Sequence, residues 1–339
     1  MSEVLVIGGS GFLGQHVVRM LVGRHYSVRV LSRRSGGSGV VAGVRYFKGE
    51  VADARLVSEA VKGTDVVYDL AANTGGTWEE IQRAYVEGAR SVANACLEHG
   101  VRRFVYASTI AALNLGLTKT INERSGTDAK AHLRPGYYHI SKIAVEKLLL
   151  ELHGSSNLPV VILRPGIIVG SGGTLCHAAI GAWHDDTCCT IVGRGTHPLP
   201  FVLVQDAAAA FLAAIDAPGI EGQTFNLVGD VRPSALEMVD YMRQRSRRNF
   251  RAYPHNLYKL YAIWWIKYFL KVALRKNGDR PSLHTLKCDQ MRTQLDCSAA
   301  KEYLNWKPAS DLDIFLREAI DPHLRPILPE DLRLLPIIR

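Results

Sequence analysis

A doubly wound α/β fold, with a parallel sheet covered by helices on both faces, is what this sequence predicts from three observations. A glycine-rich turn, Gly8-Gly9-Ser10-Gly11-Phe12-Leu13-Gly14, follows directly on the apolar run EVLVI at 3–7. Short β-branched runs then alternate with segments of helical periodicity up to residue 170, as in parallel strands joined by crossover helices. After Gly170 the alternation loses regularity, which predicts a smaller C-terminal substrate lobe.

EVLVI reads as a buried strand, and an apolar-periodic helix follows from about Phe12 to Val22. VRVL at 28–31 and VRYF at 44–47 are the next strands, then a short helix near 54–62 and the strand DVVYDL at 65–70. From Trp78 to His99 there are few breakers and a helical rhythm, leading into the strand RRFVYAS at 102–108. The polar, turn-rich stretch 114–135 predicts a loop over the cleft. A helix from Tyr138 to about Leu152 and a strand VVIL at 160–163 close this half, which ends at Arg164-Pro165-Gly166. Residues 1–170 are assigned mainly to a nucleotide-binding unit and 171–330 mainly to the substrate lobe, with segments near 200–228 returning to the core.

The chain has 339 residues, 47% of them hydrophobic, enough for one large core and a satellite lobe with a cleft between them. A net charge of +9 and a pI near 9.3 favour anionic partners. No zinc-finger spacing, recognition-helix pattern or aromatic-basic sheet motif accompanies that charge, so nucleic acid is not an expected partner. Six cysteines without a CxxC pair fit a reducing compartment, and residues 1–7 run into a strand with no secretory pattern, so cytoplasmic residence is expected. Residues 256–276 are rich in Trp and Tyr yet interrupted by Lys259, Lys267 and Lys271, which argues against a membrane span. A helix packed on its own core or a partner subunit is the first expectation for them, and peripheral membrane contact the second.

The strand–turn–helix context makes the glycine turn a Rossmann-type dinucleotide fingerprint. Gly8 permits the tight turn, Gly11 the approach of the pyrophosphate, and Gly14 close helix-to-sheet contact, with helix N–H groups facing the phosphates. At the end of the second strand, Ser32, Arg33 and Arg34 stand where a free ribose 2′-hydroxyl would call for an acid. Two guanidinium groups suit a 2′-phosphate, so NADP(H) is preferred and NAD(H) is the alternative.

Tyr138 and Lys142 are four apart on one helical face, where the ammonium favours a phenolate able to exchange a proton with a substrate hydroxyl. Thr109, with Ser108 beside it, closes a buried strand and can donate to the substrate oxygen. Together they predict hydride transfer between a nicotinamide and a carbinol or carbonyl carbon, for which no metal is needed. His184, Asp185 and Asp186 read as a polar surface loop rather than ligands, and Cys188-Cys189 as incidental.

Landmarks in order, GGSGFLG at 8–14, GEVAD at 49–53, DLAA at 69–72, RRFVYAST at 102–109, YHISK at 138–142, LRPGIIVG at 163–170 and FNLVGD at 225–230, carry a family likeness over most of the chain. The sequence resembles the extended short-chain dehydrogenase/reductase superfamily, also described as the NAD-dependent epimerase/dehydratase family. That resemblance implies Glu50 and Val51 near the adenine and Leu70, Ala71 and Ala72 along the cofactor backbone. It implies Gly8, Ser10, Gly11, Phe12, Leu13 and Gly14 at the pyrophosphate, Pro165, Ile167 and Ile168 against the nicotinamide, and Thr109, Tyr138 and Lys142 in catalysis. It also implies a homodimer through residues 79–99 and 137–152. Glu50 stands where Asp is usual, and Tyr85 where a structural Asn is frequent.

Nucleotide-sugar members of the family carry an arginine before the FV strand, where this chain has Leu199 and Pro200. Ile110 and Ala111 likewise replace the acidic pair of the dehydratases. The C-terminal segment more loosely resembles 3β-hydroxysteroid dehydrogenase-like members. An oxidoreductase acting on an apolar small molecule, sterol- or terpenoid-like, is therefore the leading expectation, and a nucleotide-sugar 4-epimerase or 4-ketoreductase the alternative.

Overall fold

The computed structural model describes residues 2–33, 41–72, 77–116, 118–134, 136–246, 248–276 and 280–324. From the N-terminus come β1 (Glu3–Ile7), α1 (Phe12–Gly23), β2 (Ser27–Ser32), β3 (Arg45–Lys48), α2 (Ala54–Val61), β4 (Val66–Asp69), α3 (Trp78–Gln82), α4 (Gly88–Glu98) and β5 (Arg103–Ala107). Then follow β6 (Thr120–Ile121), α5 (Tyr138–Ser156), β7 (Val160–Pro165), β8 (Ile167–Val169), β9 (Ala182–Asp185), β10 (Cys188–Val192), β11 (Phe201–Leu203), α6 (Val204–Ala213) and β12 (Thr224–Leu227). The remaining elements are α7 (Ala235–Ser246), β13 (Arg251–His255), α8 (Leu257–Ala273), α9 (Leu283–Asp289), β14 (Gln294–Leu295), α10 (Ser298–Tyr303) and α11 (Leu312–Ile320).

The main sheet is parallel throughout, in the order β12-β7-β5-β4-β1-β2-β3. Its central strands β1, β4, β5 and β7 are buried almost throughout, without alternation, because both faces are covered. Val4 and Val6 pack into the cluster with Val17, Val18 and Leu21 of α1 and Ala207 and Phe211 of α6. Leu5 and Ile7 pack on the opposite face with α2, α4 and α5. The buried residues Gly14, Val17, Val18 and Leu21 of α1 recur at helical spacing, and each large side chain among them contributes roughly 1.5–3 kcal/mol by leaving water. A charge at Val18 would break that packing. The chain runs from β1 outward to β2 and β3 and then crosses back to β4 on the other side of β1, and this reversal opens a crevice beyond the C-terminal ends of β1 and β4.

The C-terminal lobe holds a three-stranded sheet, β13-β10-β9, over a core that includes Ile191, Met238, Phe250 and Phe315. β12, from the same half of the chain, returns to pair with β7 in the main sheet. No described helix is long and apolar enough to cross a membrane.

Three segments differ from the sequence expectation. The helical run from Trp78 to His99 is split by a π-helical turn, Arg83–Glu87, whose wider loop turns Tyr85 into the core, 5% exposed. Stretch 114–135 is not plain loop: β6 pairs with β14, and short 3₁₀ turns form at Glu123–Ser125 and Ala131–Leu133. α5 continues to Ser156, where Asn157 ends it in the left-handed conformation with φ 54°.

Candidate active site

The ends of β1, β4 and β5 and the start of α5 surround a cleft of about 700 Å³. Gly8, at φ 77°, turns the chain out of β1, and a Cβ on it would meet the backbone of Ala71 at 2.9 Å. A Cβ on Gly14 would lie 2.3 Å from the Gly8 carbonyl oxygen, so only glycine lets α1 sit this close to the turn. No side chain caps α1 at Gly11, and no acid occupies its first turn, which leaves the helix start suited to an anionic group.

Gly8, Ser10, Gly11, Phe12, Leu13 and Gly14 line the cleft, as do Arg33, Glu50, Val51, Leu70, Ala71 and Ala72. Tyr138, Lys142, Pro165 and Ile168 line it as well. Thr109 and Ile167 do not; Ile167 is 7% exposed and packs into the core of the C-terminal lobe. Arg34 lies outside the described residues. Tyr106 lines the cleft with a buried hydroxyl that has no hydrogen-bond partner, and a polar ligand would satisfy it. With the glycine cradle and the uncapped helix, the residues present fit a dinucleotide.

Tyr138 opens α5, and Thr109 stands just past β5. The Thr109 oxygen accepts from the Ala111 N–H at 3.1 Å, and its hydroxyl bonds to the phenol of Tyr138. Burial raises the Tyr138 pKa above its ordinary value, and the bond from Thr109 opposes that rise. Lys142 donates to the Ala107 carbonyl at 2.6 Å and stands 4.5 Å from the centre of the Tyr106 ring and 5.1 Å from that of Tyr85. Burial pushes its ammonium down to about 8, against the nearby Asp69 and Glu146 carboxylates, which favour the charged form. A lysine poised there can exchange a proton near neutral pH. The Tyr85 ring stands 6.1 Å from that of Tyr138, edge-on.

Sequence reasoning missed the support beneath these groups. Arg164 on β7 grips Glu146 on α5 in a fork, Nε to Oε1 at 2.9 Å and Nη2 to Oε2 at 2.6 Å, while Ser108 donates to the same carboxylate. Asp69, buried at the end of β4, accepts from the Ala71 N–H at 3.0 Å; burial raises its pKa and the Lys142 charge opposes the rise. Charged residues inside otherwise buried runs, VVILRP and the inner face of α5, were the available signal.

His184, Asp185 and Asp186 lie exposed around the β9–β10 turn, His184 bonded to Thr190 at 2.8 Å and Asp185 to the Thr187 N–H at 2.7 Å. Among the described residues one other group has the composition of a metal site, Asp128, His284 and Cys288. His284 Nε2 is 2.9 Å from Asp128 Oδ2, and Arg134 stands 3.8 Å from that same oxygen. The guanidinium already supplies positive charge there, so the trio reads as a strap tying the 114–135 stretch to α9.

The family described as "NAD dependent epimerase/dehydratase family" matches residues 4–227. A 2-alkyl-3-oxoalkanoate reductase of Stenotrophomonas maltophilia is 31% identical over 219 residues, 63% of this chain and 66% of that protein. A sterol-4-alpha-carboxylate 3-dehydrogenase, decarboxylating, of Homo sapiens is 27% identical over 235 residues, 66% of this chain and 61% of that protein. The chain thus spans about two thirds or less of the length of these relatives. The solved structure of a UDP-glucuronic acid 4-epimerase from Bacillus cereus in complex with NAD superposes with a TM-score of 0.72 at 19% identity, covering 94% of this chain and 96% of that one. Other UDP-sugar epimerase structures share the fold.

These findings correct the cofactor expectation. The matching family is NAD dependent, and the solved structures that name a cofactor name NAD, so NADP(H) is not the preferred cofactor. The inference from Arg33 and Arg34 assumed two guanidinium groups closing on one phosphate. Arg33 is exposed at the cleft rim beyond the buried Ser32, and the second guanidinium, that of Arg34, lies outside the described residues.

Proposed function

This chain belongs to the NAD dependent epimerase/dehydratase family, and from that premise we propose that it transfers hydride between NAD and a secondary carbinol carbon of a small-molecule substrate. The observation that carries this reading is that Tyr138 and Lys142 line one end of the glycine-lined cleft, with the Thr109 hydroxyl bonded to the Tyr138 phenol. NAD, when bound, supplies the hydride acceptor. The glycine turn and the start of α1 would hold its pyrophosphate, Glu50 and Val51 would flank the adenine, Leu70, Ala71 and Ala72 would follow its backbone, and Pro165 and Ile168 would back the nicotinamide. The phenol oxygen of Tyr138 takes the carbinol proton in the oxidising direction and returns it in the reducing one. Thr109 steadies that oxygen, and Lys142, held by the Ala107 carbonyl, supplies positive charge at the same end of the cleft.

For the substrate, the alternative drawn from the sequence has wider support than the sterol- or terpenoid-like reading. UDP-sugar epimerases are prominent among the solved structures of this fold, and one curated relative from Bacillus subtilis is named an uncharacterized UDP-glucose epimerase. We therefore take a nucleotide sugar, epimerised or reduced at a ring carbon, as the leading substrate class. A second reading, net reduction of an apolar ketone, is favoured by the buried Leu199 and Pro200 at the phosphate-clamp position and by the reductase from Stenotrophomonas maltophilia. His197 offers no ready substitute for the clamp, since its ring is bonded to the Gln290 carbonyl.

The deciding measurement incubates the enzyme and NAD(H) with UDP-hexoses and, separately, with 2-alkyl-3-oxo acids. Isomerisation without net change in reduced cofactor supports the sugar reading; stoichiometric NADH oxidation by the oxo acid supports the second. Turnover retained by Tyr138→Phe would overturn both. Pairing of two chains through the α3–α4 segment and α5 is proposed with this function.

A further inference from the structure

Helix α8 lies against the substrate lobe with little of its surface covered. Of its 17 residues only Leu257 is buried, and Ile266, Phe269 and Leu270 are 60%, 61% and 58% exposed. Helical spacing gathers Ala262, Ile263, Ile266, Phe269, Leu270 and Ala273 on the outward face. Lys267 and Lys271 run along one flank of that stripe, Lys259 lies near the first turn, and Arg275 and Lys276 follow the last. Residues 257–276 contain no acid. The half-buried Trp265 stands 5.7 Å from the Tyr268 ring and 5.4 Å from that of Phe269, with Arg280 5.6 Å above it.

We propose that α8 docks on an anionic lipid surface. The helix lies flat in the headgroup layer, with Ile266, Phe269 and Leu270 turned toward the acyl chains and Lys267 and Lys271 toward lipid phosphates. Charge complementarity selects this occupant. Pairing the stripe with its counterpart on a second copy would bring lysine flanks together without an acid to answer them, whereas anionic headgroups answer every one. The apolar face accounts for depth of insertion and the basic flank for lipid preference. Such a contact is independent of which ketone or sugar the enzyme uses.

The test is co-sedimentation of the full chain, with NAD, on phosphatidylcholine vesicles with and without phosphatidylserine. Binding should be about tenfold or more stronger with phosphatidylserine and should weaken with salt. Ile266→Asp with Phe269→Asp should abolish sedimentation, and Lys267→Gln with Lys271→Gln should weaken it about tenfold on the anionic vesicles. Both pairs lie at exposed positions, so thermal unfolding and NAD affinity should match the parent and show that the variants fold. No binding to either vesicle, or equal binding by parent and the Asp variant, overturns the proposal. A lower oligomeric mass in the Asp variant, with no vesicle binding by the parent, assigns the face to a second copy and overturns it as well.

Discussion

Arg164 and Glu146 meet in a forked ion pair, 4% and 2% exposed, that joins the strand behind the cleft to the helix carrying Tyr138 and Lys142. Glu146 lies one turn beyond Lys142 on the buried side of α5, and its carboxylate also takes the Ser108 hydroxyl at the end of β5. Three elements that position the site therefore close on one carboxylate.

Removing one member leaves the other charged and unanswered. Glu146→Gln is expected to lower unfolding free energy by about 3–5 kcal/mol in denaturant titration, while Glu146→Leu with Arg164→Met should restore most of it. A Glu146→Gln protein as stable as the parent would show that the pair does not carry this strain.

Lys142 gives a pH signature whose direction follows from its shift. Its pKa is about 8 in the folded chain against 10.5 ordinarily, so between those values the unfolded chain binds more protons. Stability from this group should therefore rise with pH across that window, and below it the cost of burying the ammonium is fully present. Unfolding midpoints of the parent and Lys142→Met, compared across the window, should differ in slope; parallel curves would refute the assignment.

At the reaction centre, Tyr138→Phe should cut turnover by roughly 10²–10⁴-fold with NAD affinity nearly unchanged. Thr109→Val removes the bond that opposes the raised Tyr138 pKa, so its basic limb should move to higher pH in the kcat profile. An unmoved limb would detach Thr109 from the phenol.

Gly14→Ala should weaken NAD binding by about 10- to 100-fold in equilibrium titration, because the added methyl drives α1 away from the turn. Unaltered affinity would mean the turn accommodates a Cβ 2.3 Å from the Gly8 oxygen.

Leu150 on α5 is 37% exposed, and if two chains pair through this helix, Leu150→Asp should shift sedimentation toward the single chain. A parent that already sediments as one chain would sink that arrangement.

The glycine turn and the Tyr138–Lys142 pair were legible in the sequence because each is a local spacing. Glu146 with Arg164, and Asp69 with Lys142, were not, because their partners meet only when separate strands and helices stack. The π-helical turn at Arg83–Glu87 escaped for a different reason: one extra residue barely alters a helical rhythm, yet it re-aims Tyr85. Arg33 misled because a basic side chain at a strand end does not by itself tell one dinucleotide from the other.

The sheet order has a consequence for biosynthesis. On one side of β1 the strands join in the order they leave the ribosome, β4, β5, β7 and finally β12. Until Thr224–Leu227 emerges, β7 presents an unpaired apolar border, and a chain interrupted before that point would keep it open to pairing with its neighbours on a polysome.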